Sequence, residues 1–288
     1  MGTTWELDFY SRPILDENNK KLWEILICES PASIDTPLTS LFKYAEYCSN
    51  TQVNSIFLRE AIEKAIAKAG KTPTKIRFFR RQMNNMIIKG CEDAGIMALP
   101  SRRTYALTNW LAERMVSVYP QASGYDSKLA QSASVQYPSL NAVPLPDAIR
   151  GDKGDKWAFV TLEASSLAEM GEWDVSFGEA FPLDLAAIEP ETKIPGMLIY
   201  SPRATPLAAW MSGLEMAYLD LETGSFPRMR LETGVSDSWI IANLPNATTL
   251  AEAKNFVAAK EKAKGVHFLA LQTSSNSETF AGFWLLKQ

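Results

Sequence analysis

Large apolar and polar side chains alternate from Trp5 through Glu6, Leu7, Asp8 and Phe9 to Tyr10. A period of two marks a half-buried strand, apolar inward and polar outward. Asp16 to Asn19 supplies a turn and residues 22–28 read as the returning strand, so the chain opens on a hairpin. Residues 30–37 read as a loop. The period becomes helical over residues 50–69, where Ile56, Ile62, Ala65 and Ile66 fall near one face and Gly70 marks the stop. Short strands follow at 75–79 and 96–99, with helices at 82–94 and 104–119. Leu107, Leu111, Met115 and Val118 form the expected buried stripe of the last helix. Two strands, then helix, strand, helix, strand, helix, predict an α/β layer domain with a mixed sheet over residues 1–119.

Residues 120–156 are rich in Pro, Ser, Ala, Gly and Asp and read as a linker, with Val143, Pro144, Leu145 and Pro146 able to pack as an extended arm. Regular patterning resumes over 157–288. Strands are expected at 157–162 and 196–201, a helix at 204–213, and a meander at 216–221, 228–233 and 239–243. A helix at 249–264, capped by Thr248 or Thr249, precedes strands at 266–273 and 280–286. This half is α+β. The run from Phe280 to Leu286 is dense in aromatic and aliphatic residues. It reads as a buried core strand, with Gly282 giving a close backbone approach or a bulge. Left exposed, it would be a docking surface.

The 288 residues, 46% hydrophobic and 22% charged, fit a soluble globular protein of two domains. No apolar run approaches the roughly 20 residues of a membrane span, and residues 1–10 lack the apolar core of a secretory signal. Cys28, Cys48 and Cys91 are widely spaced, which suits reduced thiols better than a disulfide framework or a zinc site. The net charge of −4 argues against indiscriminate coating of nucleic acid. Charge is uneven, however. Residues 1–150 hold 18 Lys/Arg against 15 Asp/Glu, residues 151–288 hold 11 against 18, and residues 71–114 hold 9 against 3. A local positive field of this kind suits a polyanion, and equally suits ordinary solvated helix faces.

Signals for catalysis are sparse. His267, the single histidine, lies in a strand pattern and reads as structural. Nucleophile-elbow, phosphate-loop and dinucleotide-binding glycine motifs are absent, and no catalytic residue, cofactor or metal site is assigned. The element order of the first half is loosely ribonuclease H-like. Asp8 mid-strand, Glu24 on the neighbouring strand and Glu60 on the first helix make a thin acidic set for a cryptic metal-dependent nuclease. Where a further acid is wanted, the chain reads Phe78, Phe79, Arg80, Arg81. Asp147 after Pro146, with Glu191 and Lys193, mimics another nuclease signature, but the Glu–x–Lys part sits in a proline-flanked loop.

Basic and aromatic residues interleave in Lys75, Arg77, Phe78, Phe79, Arg80 and Arg81. Arg102, Arg103 and Tyr105 follow the next strand, and Trp110 lies on the helix after it. Strand ends share one edge of an α/β sheet, so Arg80, Arg81, Arg102 and Arg103 can gather there. Guanidinium groups pair with phosphates and exposed rings stack on unpaired bases, a combination suited to single-stranded RNA. The plainer alternative is that the rings are core and the arginines solvate the edge.

Four long segments carry a resemblance. They are Trp5 to Pro13 with Leu22, Trp23 and Glu24; Pro144 to Gly151 before Lys156 to Val160; Tyr200 to Glu215; and Phe280 to Lys287. Together they resemble the Tab translation-factor family of chloroplasts and its cyanobacterial relatives, over nearly the full length. The resemblance implies a non-enzymatic factor that binds A/U-rich single-stranded RNA. It further implies a role in translation of the PsaB photosystem I messenger and in photosystem biogenesis, with translation or assembly proteins as partners. A chain that opens at the family's first motif implies a cyanobacterial, cytoplasmic member. The family's closing RNA-binding motif falls on Trp284, Leu285, Leu286 and Lys287. Trp284 offers a stacking ring and Lys287 a phosphate contact, whereas Leu285 and Leu286 look like core. A third reading is a protein scaffold for photosystem assembly that docks through the acidic second half.

Overall fold

A computed structural model describes residues 2–130, 141–150 and 154–288. The chain divides into two compact units, Met1–Pro31 with Thr39–Pro138, and Ala32–Leu38 with Ser139–Gln288. Parts of the expected linker, at 131–140 and 151–153, lie outside the described residues.

The first unit contains β1 (Thr4–Leu15), β2 (Lys21–Glu29), β3 (Lys43–Cys48), α1 (Ser55–Ala69), β4 (Lys75–Phe78), α2 (Asn84–Asp93), β5 (Met97–Pro100), α3 (Tyr105–Ser117) and the short α4 (Ser127–Ala130). Its sheet runs β3-β2-β1-β4-β5. Strand β2 is antiparallel to both β1 and β3, while β4 is parallel to both β1 and β5. The expected succession of strands and helices in a mixed sheet is present, with β3 added as an unforeseen edge strand. Helix α1 starts five residues later than its pattern predicts, because Asn54 accepts the Phe57 amide at 2.9 Å and caps it there. Past α3, the stretch expected to be linker carries structure: Tyr125 bridges Ile14.

The two faces of this sheet differ. Trp5, Leu7, Phe9, Ile25, Ile27, Ile76 and Phe78 form one apolar core with α1 and α2. The opposite face carries Glu6, Asp8, Glu24 and Arg77, all buried. Alternation predicts a solvated polar face on β1; instead α3 packs over this side, burying Ala106, Leu107 and Trp110 against Leu26 and Cys28. The expected stripe on α3 is corrected accordingly, with Val118 exposed.

The second unit contains β6 (Val143–Pro144), β7 (Lys156–Glu163), α5 (Ala164–Leu167), β8 (Val175–Glu179), β9 (Lys193–Tyr200), α6 (Ala204–Ser212), β10 (Met216–Glu222), β11 (Arg228–Thr233), β12 (Asp237–Asn243), α7 (Ala247–Lys262), β13 (Val266–Gln272) and β14 (Phe280–Lys287). One sheet runs β10-β11-β12-β6 and the other β7-β9-β13-β14-β8. The extended arm at Val143 pairs with β12, and Leu145 and Ile149 are buried. Asn246, rather than Thr248 or Thr249, caps α7 by accepting the Thr249 amide at 3.0 Å. Strand β14 lies between β13 and β8, as an interior strand.

His267 ties the two sheets of this unit together. Its Nε2 accepts the Leu219 amide of β10 at 2.8 Å, its Nδ1 donates to the Gly265 carbonyl at 2.8 Å, and buried Lys260 donates to the Leu219 carbonyl at 2.8 Å. The single histidine is structural, as its strand pattern predicts.

Candidate nucleic-acid interface

The parallel pairing of β4 with β5 sets Phe78 beside Pro100, and the Ser101 amide donates to the Phe78 carbonyl at 2.8 Å. Arg80 and Arg81 thus leave the sheet alongside Arg102 and Arg103. The backbone converges as the sequence predicts, but the side chains do not behave alike.

Arg81 is exposed and Arg102 half-buried, while Arg103 is buried with its guanidinium 5.5 Å from the ring of half-buried Tyr105. Arg77 is also buried, and register places it beside Glu6. Its expected contact with RNA is corrected: the strand turns this arginine onto the buried polar face of the sheet. Glu6 in turn accepts the Leu107 amide at 2.7 Å, a carboxylate on the first turn of α3. Half-buried Lys75 stands at the opposite end of β4 from Arg80.

Arg80 is the pivot of the edge. Its Nε and Nη2 reach the two oxygens of Asp8 at 2.7 and 3.2 Å. Its guanidinium carbon lies 3.8 Å from the Tyr10 ring centre and 4.9 Å from that of Phe79, and both rings are half-buried. Behind it, Arg12 bridges Asp8 and Glu24 at 2.9 and 2.8 Å. Tyr119 donates to Glu24 at 2.6 Å, and Arg114 pairs with Glu24 and donates to the Tyr47 hydroxyl at 3.2 Å. Burial raises the Asp8 carboxyl, but Arg12 and Arg80 outweigh it and hold the group below its ordinary value. Burial works against charged Arg12, yet Asp8, Tyr119 and Glu24 more than compensate and raise it.

This network bears directly on the acidic set. Asp8 and Glu24 are saturated by guanidinium groups instead of standing open to a cation. Glu60 is exposed on α1, which packs on the other face of the sheet. Among the described residues, no group of three or more His, Cys, Asp or Glu is placed to hold a metal.

In the second unit, Trp284 is only 3% exposed and packs in the core with Ala208, Met211 and Leu269. Its expected role as a stacking platform is corrected: β14 is interior, so the ring is enclosed. Lys287 is half-buried, and burial lowers its ammonium group. Tyr10, Arg12, Arg114 and Tyr119 escaped the sequence reading of the site. Tyr10 and Arg12 follow Asp8 at even spacing, which was the available signal.

Residues 4–114 match the family model "RNA-binding protein Tab2/Atab2 N terminal", and residues 132–287 match "RNA-binding protein Tab2/Atab2, C-terminal domain". The chain belongs to the Tab2/Atab2 family. It is 37% identical over 289 residues to the "Protein TAB2 homolog, chloroplastic" of Zea mays, covering 98% of this chain and 70% of the relative. It is 38% identical over 292 residues to the protein of the same name from Arabidopsis thaliana, covering 98% and 74%. No solved structure matches. This Tab2/Atab2 family member thus has two family domains on mixed α/β architecture. No helix among its described residues is long and apolar enough to cross a membrane.

Proposed function

We propose that the protein binds A/U-rich single-stranded RNA, without catalysing a reaction on it, and promotes translation of a photosystem I subunit messenger and photosystem biogenesis. The proposed setting is the cytoplasm of a cyanobacterium, with translation or photosystem-assembly proteins as further partners. Membership of an RNA-binding family supports the first part, and the chloroplastic relatives support the photosynthetic context.

One observation carries the site: exposed Arg81 adjoins Arg80, whose guanidinium lies against the half-buried rings of Tyr10 and Phe79. Cations for phosphates beside rings for bases are what an unpaired strand requires. Fluorescence anisotropy with a short labelled A/U-rich RNA tests the reading. Binding at low salt that weakens as salt rises is expected from counterion release. Failure to bind at low salt ends it.

A further inference from the structure

On the polar side of β1 and β2, where Glu6 and Arg77 lie in register, five further charged groups are joined by ion pairs, and the charges of those five do not cancel. Asp8 and Glu24 supply two negative charges, and Arg12, Arg80 and Arg114 supply three positive ones. Every carboxylate oxygen of Asp8 and Glu24 takes at least one donor. Asp8 Oδ1 takes Arg80 Nε, and Oδ2 takes both Arg12 Nη1 and Arg80 Nη2. Glu24 Oε1 takes Arg114 Nη2, and Oε2 takes Arg12 Nε and the Tyr119 hydroxyl.

The donors are in excess. Arg12 Nη2, on a side chain 3% exposed, is buried without a hydrogen-bond partner. The remaining Nη1 groups of Arg80 and Arg114 make no hydrogen bond among the described residues, on side chains each 12% exposed. A buried donor without an acceptor is destabilising, and so is surplus charge in a dehydrated cluster. One anionic acceptor relieves both.

We propose that this cluster is an anion site that takes one phosphate group, supplied by the backbone of single-stranded RNA. The RNA as source rests on the functional reading above; the anion chemistry does not. Arg12 and Arg80 share Asp8 Oδ2, so their guanidinium groups are neighbours, and Arg80 opens the pair toward solvent. Guanidinium forks match the paired oxygens of a phosphodiester. The Tyr10 ring against Arg80 offers the adjoining nucleotide a stacking partner. Asp8 is then a positioning residue, fixing two of the three Arg80 nitrogens and leaving the third for the ligand.

The test uses the full chain. Its thermal unfolding is followed as sodium phosphate replaces sodium chloride at matched ionic strength, and phosphate is titrated against a bound, labelled A/U-rich RNA under the same condition. Phosphate is expected to raise the melting temperature beyond chloride and to displace the RNA. Arg80→Gln is expected to weaken phosphate binding at least tenfold with an unchanged circular dichroism spectrum. Should that variant misfold, Arg114→Gln at the other exposed end decides by the same criterion. RNA binding without any phosphate-specific effect overturns the anion site and leaves the functional reading standing. A phosphate effect lost in the variant, without RNA binding, supports the anion site and removes both RNA as its source and the functional reading. A phosphate effect unchanged in a folded variant overturns the assignment to these arginines.

Discussion

The indole of Trp284 lies on the backbone of Gly282: a Cβ built on that glycine would stand 2.3 Å from Trp284 Cη2. The two residues are two positions apart on β14 and so share a face, and the absence of a side chain at 282 is what admits the ring. In this chain Trp284 is therefore a packing residue. Trp284→Ala is expected to destabilise the second unit by about 3–5 kcal/mol, and Gly282→Ala by about 1–3 kcal/mol through overpacking. Urea titrations followed by tryptophan fluorescence measure both. RNA affinity per folded molecule should stay near wild type in Gly282→Ala; a large loss with full folding would restore a direct RNA contact to this strand.

Asp8 holds two buried or nearly buried arginines. Replacing it with alanine leaves Arg80 without a carboxylate and Arg12 with Glu24 alone, and should cost roughly 3–5 kcal/mol at pH 7. Because the folded-state carboxyl lies below its ordinary 3.8, the stabilisation is complete above that pH and is lost as pH falls through the lower folded value. The gap between wild type and Asp8→Ala should accordingly narrow below pH 3.8 in an acid-unfolding series. A gap that is constant down to pH 2 would contradict the pairing.

His267 titrates in the opposite chemical sense with the same consequence. Burial, helped by the Lys260 charge and opposed by the Gly265 carbonyl, lowers its pKa from 6.5 to about 3. The neutral ring is the folded form, so protonation favours unfolding as pH falls from 6.5 toward 3. The slope is at most about 1.4 kcal/mol per pH unit. Urea midpoints at pH 7 and pH 5 should differ more for wild type than for His267→Gln. Equal differences would mean that the ring is not held neutral.

At the candidate interface, Arg81→Ala should weaken RNA binding and lower the slope of log affinity against log salt by about 0.7, the value for one single-strand phosphate contact. Its exposure means that stability should change by less than about 0.5 kcal/mol. Unchanged affinity and slope would move the contact away from this edge.

Alternation and helical period were enough to reveal the α/β and α+β character of the two halves, most elements of the first sheet and the interior position of β14. They failed where burial is decided by partners remote in sequence. Glu6, Asp8 and Arg77 read as solvated because each is charged. Their burial depends on α3 arriving more than twenty positions beyond Arg77, and on Arg12 and Arg80 reaching Asp8. Strands β3 and β8 were missed for another reason. Both are edges with only one neighbour, so few of their residues are buried and their patterns are weak. Arg80 shows the limit for the site: its sequence neighbourhood brings it to the right edge, yet nothing local announces that two of its nitrogens are already taken by β1.

Among the described strands, β8 pairs with β14 alone, in parallel, and Val175 meets Phe280 across roughly a hundred positions of chain. Such a pairing yields nothing until a very large loop has closed, so it should form late and slowly. The second unit is thus expected to refold on the millisecond-to-second scale, with β8 the last segment to gain amide-exchange protection and a vulnerable seam for misassembly meanwhile.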